Sequence, residues 1–228
     1  MTFFIQQHYA LATNATHFQA IVGSVDMRVL DLFSGLGGFS EAFYRAGDEV
    51  VRVENNPLLS EVPCTSMQDV LTMRDRLLEF ESRGEPIRSV DIILAGPPCR
   101  DFSLAYGAPR AEAQRQGEEF EPSMILLEAT MDIIRIVKPR YWIIENVIGS
   151  IKYFEEFGLP ARQIHGPHVF YGNYPMFQPR GEIPTKASKD KHSGNPLRAN
   201  HKALIPFVIS ESLRLAIIEQ TSLFDFTS

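Results

Sequence analysis

The sequence predicts an α/β fold, a mostly parallel sheet with helices packed on both faces. Three observations carry this expectation. Short apolar runs bounded by turn residues recur along the chain, as in MRVLDLF, EVVRVEN, VDIILAG and YWIIENV. Stretches with helical spacing of apolar residues lie between them, and SMILLEATMDIIRIVK is the clearest. Glycine or a basic residue followed by proline closes these stretches, as helix ends require.

The elements follow in order. MRVLDLF (27–33) reads as a buried strand, and GGFSEAFYRAG (37–47) as a helix stopped by Gly47. EVVRVEN (49–55) is the second strand, and TMRDRLLEFESRG (72–84) a helix ending on Gly84. VDIILAG (90–96) is the next strand, SMILLEATMDIIRIVK (123–138) a helix closed by Lys138-Pro139, and YWIIENV (141–147) a further strand. HVFYGNY (168–174) reads as another strand, and PFVISESLRLAIIEQ (206–220) as a last helix with Pro206 in its first turn. Two segments break the rhythm. Residues 100–122 are polar and follow Cys99 directly; a loop of that length is functional or disordered. Residues 175–200 are rich in Pro, Lys, Ser, Gly and Asn, and read as an excursion outside the core. The expected organisation is an N-terminal extension, 1–26, followed by a single domain, 27–228, interrupted by 175–200.

Composition narrows the class. At 228 residues and 44% hydrophobic, the chain can build one sizeable core. Two cysteines suggest no disulfide framework, and neither a membrane span nor a signal peptide is evident, so a cytoplasmic location is expected. The net charge of −6 argues against unaided tight binding to DNA, although a local basic patch within an acidic whole is compatible with it. Arg180, Lys186, Lys189, Lys191, His192 and Arg198 form such a cluster. No metal site is expected.

Chemistry-bearing residues gather at strand ends, where open α/β sheets bind ligands. DLFSGLGG, Asp31 to Gly38, is a glycine-rich turn that lets the backbone approach a ligand. Glu54, closing the second strand, suits two ribose hydroxyls, and Asp69 an adenine amino group. Together they describe an adenosine-containing cofactor; the G-x-G-x-x-G order of a dinucleotide site is absent. Cys99 stands in GPPC at the exit of a strand, the place for a nucleophile rather than a packing cysteine. An unperturbed thiol has a pKa near ~8.5, so activation has to come from a following helix N-terminus or from Arg100. Glu145 closes an apolar run, and an unpaired carboxylate there suits a proton donor.

DLFSGLGGFSEAF, GPPCRDFS and ENV, in that order, resemble the cytosine-C5 methyltransferases, from Met27 to about Phe170 with a weaker echo in the last helix. The resemblance implies a class I, Rossmann-like methyltransferase fold, S-adenosylmethionine as cofactor and DNA as substrate. It places Asp31, Phe33, Ser34, Gly35, Leu36 and Gly37 on the methionine-binding loop, with Glu54 at the ribose, Asp69 at the adenine, and Asn55 and Val70 also on the cofactor side. Gly96 and Pro97 complete the cofactor side. Cys99 falls on the nucleophile and Glu145 on the residue that holds the cytosine ring nitrogen. Pro98, Ser103, Asn146, Val147, Arg162, His165 and His168 fall on the substrate side. The segment after Cys99 is then a lid over an extruded base.

Three departures from the family pattern stand out. His165 and His168 occupy the stretch where a Gln-x-Arg-x-Arg element is expected, with Arg162 or Arg180 as possible substitutes. Lys202-Ala203 replaces a late Gly-Asn pair. Residues 175–200 are too short for a target-recognition domain, so loose sequence preference, or a homodimer or partner subunit that supplies recognition, is expected. Two alternatives remain open: the same chemistry on RNA or a free cytosine nucleotide, and a non-catalytic S-adenosylmethionine-binding subunit.

Overall fold

The computed structural model describes residues 26–184 and 194–225. The expected N-terminal extension falls almost wholly outside the described residues, as do Lys186, Lys189, Lys191 and His192 of the basic cluster. Strands β1 (Arg28–Leu32), β2 (Glu49–Glu54), β3 (Thr65–Met67), β4 (Ile92–Ala95), β5 (Tyr141–Val147), β6 (Gln163–His165) and β7 (His168–Asn173) form one sheet in the order β3-β2-β1-β4-β5-β7-β6. Every pairing from β3 to β5 is parallel, whereas β7 pairs antiparallel with both β5 and β6. The mostly parallel α/β sheet of a class I methyltransferase fold is therefore present, with one reversed strand near its edge.

Alternation along the buried strands feeds two cores, one on each face. Val29, Phe43, Leu94, Ile143, Ile209 and Leu213 pack on the face covered by α1 (Glu41–Ala46) and α7 (Phe207–Asp225). Leu30, Leu32, Ile93, Ile133, Ile144 and Phe154 pack on the other, under α2 (Val70–Arg83), α4 (Ile125–Val137) and α5 (Ile151–Glu156). In α4 the buried Leu127, Thr130, Ile133, Ile134 and partly buried Val137 recur at three- and four-residue spacing, which turns one apolar stripe to the sheet.

The structure differs from the sequence reading in several places. The first helix begins at Glu41 rather than Gly37, because residues 37–40 form a turn in which Gly37 has a left-handed φ of +78°. α2 begins earlier than expected because Asp69 caps it, its Oδ1 accepting from the Leu71 and Thr72 amides. The segment 100–122 is not all loop: α3 (Pro109–Gln116) lies within it, opened by proline and closed by Gly117. The segment 175–200 is not wholly outside the core, since Phe177 is buried and the Arg180 amide donates to Ser212 Oγ at 2.9 Å. The short helix α6 (Arg198–Ala203) ends it. No described helix is long and apolar enough to cross a membrane.

Candidate active site

The C-terminal ends of β1, β2, β4 and β5 open into a cleft of about 790 Å³. Its first half is built by the turn after β1. Phe33, a non-glycine residue at φ +58°, starts the turn, and the Ser34 amide donates to Val53 O at 3.1 Å. Ser34, Gly35 and Leu36 line the cleft with Asp31 and Phe33. Glu54 is fixed by this turn: its Oε2 accepts from the Gly35 amide at 2.9 Å, and its Oε1 accepts from the Asn55 and Asn56 amides at 3.0 and 2.9 Å. Asp69 Oδ2 accepts from Asn55 Nδ2 at 3.0 Å while its other oxygen caps α2. Asp69 thus serves as a helix cap as well as a wall, beside Asn55 and Val70.

Gly37 does not line the cleft; it makes room for Arg52, which sequence reasoning missed. A Cβ at Gly37 would collide with the Arg52 guanidinium. Arg52 is the cross-strand neighbour of Asp31, and the two face the α1/α7 core. Its side chain is buried and fully engaged: Nε donates to Ser40 Oγ at 2.9 Å, Nη1 to Pro63 O at 3.1 Å, and Nη2 to Gly37 O and Glu41 Oε2 at 3.1 and 2.9 Å. Ser40 Oγ in turn donates to Asp31 Oδ2 at 2.6 Å. The one signal in the sequence was an arginine at an inward-facing position of EVVRVEN.

Burial dominates at Asp31 and raises its pKa from 3.8 to about 6, against the Ser40 hydrogen bond and the Arg52 charge, which lower it. The sign follows from proton counting. Between 3.8 and about 6 the folded chain holds a proton that the unfolded chain has lost, so this group's contribution to stability falls as pH rises through that window. The expected loss is on the order of 3 kcal/mol. Urea unfolding of wild type and Asp31→Asn across the window checks it: the wild type should lose stability relative to the variant as pH rises, and a constant difference would contradict it.

The second half of the cleft is the exit of β4. Gly96, Pro97, Pro98 and Cys99 line it, and Asn146 fixes their course, its Nδ2 donating to Pro97 O at 3.1 Å. Asn146 Oδ1 accepts from the Val147 amide, so this buried side chain is spent on the backbone rather than facing the cleft. Both prolines and Asn146 stiffen the approach to Cys99. The expected helix N-terminus beside Cys99 is absent. A turn follows instead, with Cys99 O accepting from the Phe102 and Ser103 amides, and α3 starts only at Pro109. Phe102 is buried edge-on against Phe154, and Arg110 Nη1 donates to Gly149 O at 2.7 Å. Glycine is required at 149, where a Cβ would collide with the Phe102 carbonyl oxygen. The segment after Cys99 is therefore anchored at Phe102 and Arg110, and Ser103, between the two anchors, lines the cleft.

Glu145 also lines the cleft, but it is not the unpaired carboxylate expected from sequence. His168 on β7 meets it, Nδ1 to Oε1 at 2.7 Å, and both side chains are largely buried. Antiparallel pairing sets this up, because Glu145 lies opposite Phe170, and His168 opposite Val147. The other substrate-side candidates are elsewhere. His165 packs on Phe177 and Phe170, within 3.2 Å of Phe177 O, and burial lowers its pKa below 6.5. Arg162 lies over the Tyr174 ring at 5.3 Å. Arg180 pairs with Glu219. Asn146, Val147, Arg162, His165 and His168 do not line the cleft. The structure adds a wall that sequence reasoning did not assign: Arg198, Asn200, Lys202, Leu204 and Ile205. Ile205 O and Leu204 lie so close to Gly38 that a Cβ there would collide with both.

The family model for C-5 cytosine-specific DNA methylases matches residues 27–155. The type II methyltransferase M.HgiGI of Herpetosiphon aurantiacus is 30% identical over 128 residues, 53% of this chain and 90% of that protein. M1.HphI of Haemophilus parahaemolyticus is 29% identical over 56% of this chain and 34% of its own length. M.AquIA of Picosynechococcus sp. is 28% identical over 60% of this chain and 55% of its own. The chain thus spans about a third to a half of the last two. A SAM-dependent methyltransferase structure from Agrobacterium tumefaciens aligns over 69% of this chain and 59% of that one, with 16% identity and a TM-score of 0.41. The family match covers more than half of the chain and contains the glycine-rich turn, Cys99 and Glu145; the chain belongs to the C-5 cytosine-specific DNA methylase family.

Proposed function

We propose that the chain methylates cytosine C5 in DNA, with S-adenosylmethionine as methyl donor and Cys99 as a covalent nucleophile. The observation that carries this is the sharing of one cleft by the glycine-rich turn, Cys99 and Glu145. The residues of the first half fit the cofactor. Ser34 Oγ is buried there without a partner, Glu54 and Asp69 hold carboxylates at the cleft wall, and Gly35 lines the turn. S-adenosylmethionine supplies an electrophilic methyl group when bound.

Cytosine C5 is too poor a nucleophile while the ring stays aromatic. Cys99 Sγ adds to C6 as Glu145 donates a proton to N3, and the C4–C5 bond becomes an electron-rich enamine. After C5 has gained its methyl group, solvent water takes the C5 proton, the S–C6 bond breaks to release Cys99 as a thiolate, and N3 returns its proton to Glu145. His168 holds Glu145 Oε1 and leaves Oε2 for the base. Asn146 positions Cys99 by fixing Pro97. The base leaves the duplex to reach the cleft.

Labelled S-adenosylmethionine tests this reading with DNA, RNA and dCMP offered separately. The expected product is 5-methylcytosine in DNA. Label in RNA or dCMP alone would overturn the substrate, and no transfer to any of the three would overturn the reaction.

A further inference from the structure

The reaction needs Cys99 as a thiolate, and the fold withholds a common source of one. A helix that begins at a cysteine offers the sulfur free amides and the positive end of its dipole. Here α3 begins only at Pro109, and the Phe102 and Ser103 amides are spent on Cys99 O. Cys99 is also half-buried, and withdrawal from water disfavours the charged form of a thiol. A positive side chain has to make up the difference.

Arg100 is placed to do so. Its side chain is exposed, lines the same cleft as Cys99, and makes no hydrogen bond or ion pair among the described residues. Consecutive Cα atoms lie about 3.8 Å apart, so the backbone itself keeps this guanidinium near the thiol. The other charges around the cleft are committed. Glu145 is paired with His168, Asp31 is bonded to Ser40, Glu54 to three backbone amides, and Asp69 to the start of α2 and Asn55. Arg110 and Arg115 on α3 are held by Gly149 O and Tyr106 O, and Asp101 does not line the cleft. Arg198 and Lys202 belong to α6, which stands against the glycine-rich turn. We infer that the Arg100 guanidinium holds Cys99 in the thiolate form that adds to C6. The thiol proton leaves to solvent water, and the arginine, charged at any working pH, opposes its return. This rests on Cys99 being the nucleophile. A DNA phosphate also suits an unpaired guanidinium, but phosphates stay with the duplex, whereas Arg100 lines the cleft that the base enters.

Alkylation by iodoacetamide, followed peptide by peptide in the full chain across the thiol titration range, measures this directly. The exposed Cys64 is the internal reference. In the wild type the midpoint for Cys99 should lie below that for Cys64. Arg100→Gln should raise it by about one pH unit, a roughly tenfold loss of thiolate at neutral pH, the size of one charge acting near a protein surface. Arg100→Lys should restore most of the shift, because it keeps the charge. Single-turnover methylation at saturating DNA should fall about tenfold in Arg100→Gln at neutral pH and recover as pH rises. Coincident Cys99 profiles for wild type and Arg100→Gln, or a shift that Arg100→Lys fails to restore, would overturn the inference. A methylation deficit that stays constant with pH, together with a flatter salt dependence of DNA binding, would assign Arg100 to phosphate instead. Absence of methyl transfer by the wild type would overturn the methyltransferase reading, whichever way the alkylation profiles fall.

Discussion

Cys99→Ser is expected to lower DNA methylation by roughly 10⁴-fold or more, the scale seen when a covalent nucleophile is removed. Serine is nearly isosteric, so the exit of β4, held by Asn146 at Pro97 and by the turn that closes on Cys99 O, should keep its course. The loss should therefore appear in kcat, with cofactor binding unchanged. Cys64 is the internal control. It is exposed, lies outside the cleft, and serves β2 through its backbone, Cys64 O accepting from the Arg52 amide at 2.9 Å. Cys64→Ser should retain activity. Retention of more than a tenth of wild-type turnover by Cys99→Ser would show that the nucleophile is another group.

Arg52→Met is expected to be the most destabilising single change, by about 3–5 kcal/mol, because it breaks a buried charge network from one side. Methionine fills a similar length of space but offers no donor. The Gly37 and Pro63 carbonyls, Ser40 Oγ and Glu41 Oε2 would lose the bonds they accept from it, and Asp31 would lose the nearby positive charge that lowers its pKa. Denaturant unfolding measures the cost, and calorimetric titration with S-adenosylmethionine measures the consequence for the turn that Gly37 and Ser40 belong to. A change below about 1 kcal/mol would mean that the guanidinium is not holding the turn.

What was legible in the sequence, and what was not, follows from where the signal resides. The strands that carry the site are continuous apolar runs because parallel strands are covered on both faces, so β1, β2, β4 and β5 announce themselves. β3, β6 and α5 have three to six residues and no periodic run to read; they are set by what they pack against. The cleft-facing residues Cys99, Glu145 and Glu54 were found because polar or reactive groups at strand exits are conspicuous. Their partners were not. The pairing of Glu145 with His168 depends on antiparallel register across 23 residues of sequence, and Arg52 on a contact with Ser40 formed only when α1 docks. The same holds for α6, whose polar sequence gave no sign that it would stand against the glycine-rich turn. Asp69 shows the converse: a short acidic residue before a helix has a capping duty that sequence reasoning set aside for a ligand.

The most direct measurement is a covalent trap. DNA carrying 5-fluorocytosine presents C6 to the nucleophile but cannot release a C5 proton after methyl transfer, so the protein should remain attached. With S-adenosylmethionine present, mass spectrometry of the digested complex should find one modified peptide, bearing the methylated fluorocytosine on Cys99. Cys99→Ser should give no adduct and Cys64→Ser a normal one. Failure of the wild type to form any adduct while it methylates ordinary DNA, or an adduct on a residue other than Cys99, would contradict covalent catalysis by Cys99.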